Sequence, residues 1–180
     1  MWNLPNALTM LRILLAPLLV VVLLTEIPGK EFWGLGIFLV AALTDFLDGI
    51  IARRTNRTTR IGALLDPIAD KLLMSAAFIS LVGLDLAPAW MVTVIVGREF
   101  AVTALRVIAL ERQVSIAANA WGKAKTVSQV VAVSFLILGH QLGGWIVIGQ
   151  GILWVALVLT VASMLVYFFQ NWHVVWEFTE

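Results

Sequence analysis

Six apolar runs, at roughly 9–25, 32–53, 62–84, 87–110, 120–140 and 145–169, occupy almost all of this 180-residue chain. A helix that crosses a bilayer needs about 20 such residues, so the pattern allows six crossings and leaves no stretch for a separate soluble domain. The breaks carry turn or charge signals: Ile27-Pro28-Gly29-Lys30, the basic stretch Arg53 to Arg60, Asp85 to Pro88, Glu111 to Ser115, and Gln141-Leu142-Gly143-Gly144. The sequence therefore predicts an all-α, polytopic membrane protein with six transmembrane helices and residues 1–180 as one membrane domain. Asn3 and Pro5 suit a cap and a first helical position, and Asn6 to Arg12 is amphipathic. A short amphipathic N-terminal helix on the membrane surface is thus expected ahead of the first crossing. The N-terminus, with its apolar stretch Ala16 to Leu24, has neither a basic n-region nor a small-x-small cleavage site, so it reads as a retained helix rather than a signal peptide.

Charge then orients the chain. Lys and Arg accumulate in cytoplasmic loops; the second connection holds Arg53, Arg54, Arg57 and Arg60, and the fourth holds Arg112 near Arg106, Lys123 and Lys125. Both chain ends are expected in the cytoplasm. Trp172, Trp176 and Trp121 suit interfacial anchoring, and Trp154, mid-helix, suits packing. A formal net charge of +1 gives no reason to expect nucleic acid as a partner, and the absence of cysteine excludes disulfides, zinc thiolates and iron–sulfur clusters.

Against this background one stretch is anomalous. Asp45, Asp48, Gly49, Ala52, Arg53, Gly62, Asp66 and Asp70 form the frame D-x2-D-G-x2-A-R-x8-G-x3-D-x3-D. A carboxylate at the centre of a bilayer helix costs roughly 2.5 to 3.5 kcal/mol on insertion scales, so four in one short stretch require cations or a wet cavity. At about 100° per residue, Asp45, Gly49 and Arg53 share one helical stripe, with Asp48 and Ala52 beside it. Gly62, Asp66 and Asp70 repeat that spacing on the next helix. The pairs are expected at the cytoplasmic end of the second helix and the start of the third, brought together by their hairpin. Gly49, Ala52 and Gly62 leave room for a bulky ligand to approach the backbone. Converging carboxylates take up protons unless cations sit between them, and oxygen-only ligation selects a hard ion, Mg2+ or Mn2+ first and calcium as competitor. Two such ions about 3.5 to 4 Å apart are the usual clamp on phosphoryl oxygens. The plain alternative, salt bridges among these aspartates and Arg53 to Lys71, does not require the three small residues.

The frame matches, residue for residue, the motif of the CDP-alcohol phosphatidyltransferase family, which the chain also resembles in its six-helix length. That resemblance implies transfer of a phosphatidyl group from a CDP-activated lipid to an alcohol, with release of CMP. It implies Asp45, Asp48 and Asp66 as principal metal ligands and Asp70 as a further ligand that also acts as base toward the incoming hydroxyl. Gly49, Ala52, Arg53 and Gly62 would receive the CDP-lipid, and a homodimer is implied as well.

The acceptor has to be read elsewhere. Arg98 and Glu99 interrupt an apolar run, Arg106 follows, and Lys123 and Lys125 open the fifth helix. Four cations near one site, Arg98, Arg106, Lys123 and Lys125, suit a phosphorylated acceptor. Otherwise Arg98 would pair with a motif aspartate and the rest would only satisfy the charge bias of cytoplasmic loops. Gly97-Arg98-Glu99-Phe100 with Leu105-Arg106, and Gly122-Lys123-Ala124-Lys125-Thr126, are similar to segments of the phosphatidylglycerophosphate synthases within that family. Leu4-Pro5-Asn6 with Thr9 and Arg12 resembles their N-terminus, which adds Asn6 and Thr9 to the expected CDP-lipid site. The expected reaction is CDP-diacylglycerol plus sn-glycerol 3-phosphate giving phosphatidylglycerol phosphate and CMP, at a bacterial inner membrane with the site facing the cytoplasm. Alternatives are a sister enzyme whose acceptor is phosphatidylglycerol (a cardiolipin synthase), serine or inositol phosphate, and, from another class, a cation transporter.

Overall fold

The computed structural model describes residues 4–55, 60–111 and 120–170; within these, the side chains at 4–5, 45–55, 60–64, 66, 106, 108–111, 120–121, 140, 142 and 170 stand outside the description. Among the described residues there are six helices and no strand. They are α1 (Leu4–Leu24), α2 (Lys30–Thr55), α3 (Arg60–Gly83), α4 (Ala89–Glu111), α5 (Ala120–Leu142) and α6 (Trp145–Gln170). Each apolar run has its helix. The all-α class is borne out, and by length and composition two helices are apolar enough to cross a membrane, Asn6–Leu24 and Trp145–Phe169. The others carry the charges: Asp45, Asp48, Asp66, Asp70, Lys71, Arg98, Glu99 and Lys125 all lie on α2 to α5.

One expectation is corrected. The amphipathic stretch from Asn6 to Arg12 is not a separate surface helix but the opening turns of α1, which runs unbroken through Pro17 to Leu24. The reason is visible in its buried face: Thr9, Arg12, Ala16, Leu19 and Leu23 recur every three or four residues, and Arg12 is fully buried. What makes the segment amphipathic is a polar patch facing protein rather than headgroups.

The helices that carry the aspartates end within two residues of the expected runs. α2 continues ten residues past Asp45 to Thr55, and α3 begins ten residues before Asp70 at Arg60, about 15 Å of helix in each case. Arg53 and Arg54 belong to the last turn of α2.

The helices pack into one bundle. α1 lies against α2 and α3; α5 lies against α6, α2 and α3; and α4 rests on α3 and α6. α5 is the most enclosed, with Val127 as its only exposed large apolar side chain among the described residues. Ala16, Leu19 and Leu23 meet Phe38, Phe78, Leu81, Met91, Ile95, Leu136, Ile137 and Leu153 in one core.

The turns at the far end are tight for local reasons. Leu86 N–H donates to Leu81 O at 2.9 Å and Asp85 N–H to Val82 O at 3.0 Å, a C-terminal lock that puts Asp85 at φ 58°. Gly143, at φ 63°, reverses the chain between α5 and α6. There the backbones nearly touch: a Cβ on Gly139 would stand 2.9 Å from both Cα and N of Ile146.

Candidate active site

Helical geometry carries the aspartate frame as the spacing requires. Residues 45–55 of α2 and 60–70 of α3 are helical throughout, so Asp45 and Asp48 lie within one turn, and Asp66 and Asp70 lie one turn apart on one face. The side chains of Asp45, Asp48, Gly49, Ala52, Arg53, Gly62 and Asp66 lie outside the described residues, as does that of Arg106. Pro67, between Asp66 and Asp70, removes one backbone donor from α3, the one that would bond the carbonyl four residues back.

Asp70 is described, and it is not isolated. Its Oδ2 pairs with Nζ of Lys71. Lys71 Nζ also stands 3.6 Å from Oε2 of Glu99 on α4. The other oxygen of Glu99 pairs with Nζ of Lys125 on α5. That same Oε1 lies 3.4 Å from Nη1 of Arg98 and accepts a 3.4 Å hydrogen bond from Nε2 of Gln129. Gln129 donates again to Thr160 Oγ1 at 3.2 Å, and Arg98 Nη2 donates to Ser163 Oγ at 2.9 Å, both on α6. Ser163 Oγ in turn donates to Thr160 O at 2.9 Å. One polar network therefore runs from the last motif aspartate across four helices, α3 to α6.

Its members are taken out of solvent. Arg98, Glu99, Lys125, Gln129, Thr160 and Ser163 are all buried, and Asp70 and Lys71 are partly so. Burying ions is costly, and an ion pair in an apolar interior seldom outdoes the hydrophobic residues it replaces. Three cations, Lys71, Arg98 and Lys125, face two described anions, Asp70 and Glu99. Arg and Lys are the side chains that grip phosphate, and here three of them gather around one carboxylate.

The expected acceptor cluster is thus partly assembled. Arg98 and Lys125 meet at Glu99, whereas Lys123 is exposed. Two residues apart on a helix means about 200°, so Lys123 and Lys125 point to nearly opposite sides of α5. Sequence reasoning missed Lys71, Gln129, Thr160 and Ser163 as members, and noted Glu99 only as an interruption. Lys71 adjoins Asp70 in sequence, and that adjacency was the available signal.

On α1, Thr9 and Arg12 occupy the polar end of the face packed against α2 and α3, the two aspartate-bearing helices. Asn6, one turn earlier, is half-buried. Among the described residues no three of His, Cys, Asp and Glu gather as a metal site, three of the four motif aspartates having side chains outside that set. The sequence supplies the donor chemistry: four aspartates at helical positions of α2 and α3 and no nitrogen or sulfur ligand in the frame, a set that fits a hard divalent ion.

Comparison with known proteins agrees with this chemistry. The family model described as CDP-alcohol phosphatidyltransferase matches residues 2–162. The chain is similar to the CDP-diacylglycerol–glycerol-3-phosphate 3-phosphatidyltransferase of Bacillus subtilis (strain 168), at 45% identity over 96% of both chains. It is similar to the Escherichia coli (strain K12) protein of the same name at 38% identity, over 92% of this chain and 93% of that one. A Rickettsia prowazekii (strain Madrid E) relative, again of that name, shares 38% identity over the same fractions. With the frame complete and the match spanning nearly its whole length, this chain belongs to the CDP-alcohol phosphatidyltransferase family.

Proposed function

We propose that this chain transfers the phosphatidyl group of CDP-diacylglycerol to sn-glycerol 3-phosphate, giving phosphatidylglycerol phosphate and CMP. The observation that carries the acceptor is the gathering of three cations, Lys71, Arg98 and Lys125, around Glu99, with Lys71 paired directly to Asp70. A phosphomonoester is a ligand that Arg and Lys side chains grip, and a neutral alcohol such as serine is not. Relatives named for this reaction match along nearly the full chain, which supports the same reading.

In this mechanism Lys125, Arg98 and Lys71 bind the acceptor's phosphate and aim its free hydroxyl toward Asp70. Asp70 takes the hydroxyl proton as the oxygen attacks the phosphorus that bears the diacylglycerol. The new O–P bond forms as the P–O bond to CMP breaks, and the electron pair leaves on CMP. Gly49, Ala52, Gly62, Arg53, Asn6 and Thr9 form the CDP-lipid side. Asp45, Asp48, Asp66 and Asp70 would hold Mg2+ or Mn2+, in a pair, which would supply Lewis-acid stabilisation of charge on the phosphoryl oxygens.

Six crossings belong to the same reading. Large apolar side chains are exposed on all six helices, including Leu14, Leu39, Ile79, Val94, Val127 and Val158. At the end opposite the basic connections Trp33, Trp90 and Trp145, near the starts of α2, α4 and α6, are all exposed. Tryptophans collected at one level are what a membrane interface selects. The positive-inside bias then puts the aspartate side of the bundle toward the cytoplasm of a bacterial inner membrane. A homodimer rests on the family resemblance, and light scattering of the detergent-solubilised protein checks it.

The experiment is CMP release from CDP-diacylglycerol by purified protein given each alcohol in turn. Turnover is expected with glycerol 3-phosphate, lost on chelation and restored by Mg2+ or Mn2+. Turnover with serine, inositol phosphate or phosphatidylglycerol in its place would overturn the acceptor.

A further inference from the structure

Glu99 is an odd residue to find in a pocket meant for an anion. It stands one residue after Arg98, near the middle of α4, and its side chain is only 10% exposed. A carboxylate there repels an incoming phosphate, so a site built only for attraction would not contain it. Yet all three described cations of the network converge on its two oxygens. Oε1 takes Lys125 and Arg98, Oε2 faces Lys71, and Gln129 fixes the carboxylate by donating to Oε1 while anchoring itself on Thr160 of α6.

The physics of the cations explains what it does. Lysine carries its charge on a flexible four-carbon stem with three rotatable donors, so its ammonium has no fixed position of its own. Like charges in a poorly solvated pocket push each other apart, more strongly than in water. Lys71 from α3 and Lys125 from α5 would swing away from each other and from Arg98 without a shared counter-ion. Glu99, itself held by Gln129, stops that.

We infer that Glu99 is a positioning residue: it holds Lys71 and Lys125 beside Arg98 so that together they form one preorganised pocket for the phosphate of the acceptor. This deepens the reading of the reaction given above and rests on it for the identity of the acceptor. Glu99 touches no reacting atom. Its role is to cut the ordering cost of binding, so that the attraction of three cations outweighs the repulsion of one carboxylate.

The test combines binding and kinetics. Equilibrium binding of labelled glycerol 3-phosphate and of inorganic phosphate to the detergent-solubilised protein is measured first. Glu99→Gln is expected to weaken both about tenfold or more, because charge-assisted contacts at that scale depend on the lysine positions. In turnover the KM for glycerol 3-phosphate is expected to rise by a similar factor, with the KM for CDP-diacylglycerol within about twofold of wild type. Glu99→Asp should fall between the two. In a Lys125→Met background Glu99→Gln should cost less than it does in the wild type, because only Lys71 is then left to be released.

Unchanged or tighter phosphate binding in Glu99→Gln, equal increases in both KM values, or full additivity with Lys125→Met would each overturn the proposal. Should Glu99→Gln not stay monodisperse in detergent, the pair Glu99→Gln/Lys125→Met, which removes opposite charges together, is compared with Lys125→Met alone. A further loss of less than about tenfold in the pair, from the release of Lys71 alone, supports the inference; no further loss, or a loss of about tenfold or more, overturns it. If wild-type protein binds phosphate in a Glu99-dependent way but does not turn over glycerol 3-phosphate, the acceptor assignment fails and the positioning role stands. If wild-type protein binds no phosphate compound, the positioning role fails.

Discussion

At the scale of single residues, Asp70 and Lys71 are neighbours in sequence with opposite duties. Asp70 is the proposed base, and Asp70→Asn keeps its size while removing its ability to take a proton. CMP release is expected to fall roughly 10²- to 10⁴-fold, with circular dichroism unchanged. Lys71→Met should act on the other substrate: the KM for glycerol 3-phosphate rises while that for CDP-diacylglycerol moves little, as initial-rate measurements with each substrate varied will report. Lys123→Ala, by contrast, is expected to alter neither constant by more than about twofold, since surface changes away from a site are usually small in effect. These expectations differ in how far the sequence foretold them. The aspartates were legible because helical spacing alone puts them on two stripes. The separation of Lys123 from Lys125 was equally available, since two residues always place side chains on opposed faces of a helix. Glu99 and Gln129 were not legible as partners, because their meeting depends on how α4 and α5 each pack against α3 and α6, and no periodicity encodes that.

Helices are the next scale, and there the glycines distinguish close approach from open space. Gly139 of α5 faces the backbone of Ile146 at the start of α6, while Gly151 of α6 would give a Cβ nothing within 4 Å. Gly139→Val should therefore force the pair apart at a cost of about 1–3 kcal/mol. Gly151→Ala should be neutral or stabilising by up to about 1 kcal/mol, since alanine is the better helix former. Thermal unfolding of the two variants in detergent separates these outcomes. α1 shows the limit of reading an element by its pattern. Its first turns alternate polar and apolar residues as a surface helix would, yet Arg12 is wholly buried within the bundle. Amphipathicity reports that a helix has two faces; which face meets protein is settled by its neighbours.

For the whole molecule, the absence of native cysteine makes topology directly measurable. Single cysteines at Pro28, Ala89 and Gln141 are expected to react with a membrane-impermeant maleimide applied to intact cells. Those at Arg57 and Ser115 should react only after permeabilisation; the reverse pattern would invert the orientation. The all-helical architecture was readable from six apolar runs, whereas the charged network was not, since it emerges only when four helices are packed side by side. A last consequence follows from the turns at the far end of the bundle. The connections between α1 and α2, α3 and α4, and α5 and α6 comprise residues 25–29, 84–88 and 143–144. If that end faces outward, a protease or an antibody meeting the living cell finds hardly any chain to cut or grasp. An inhibitor of this enzyme would then have to cross the lipid or travel within it.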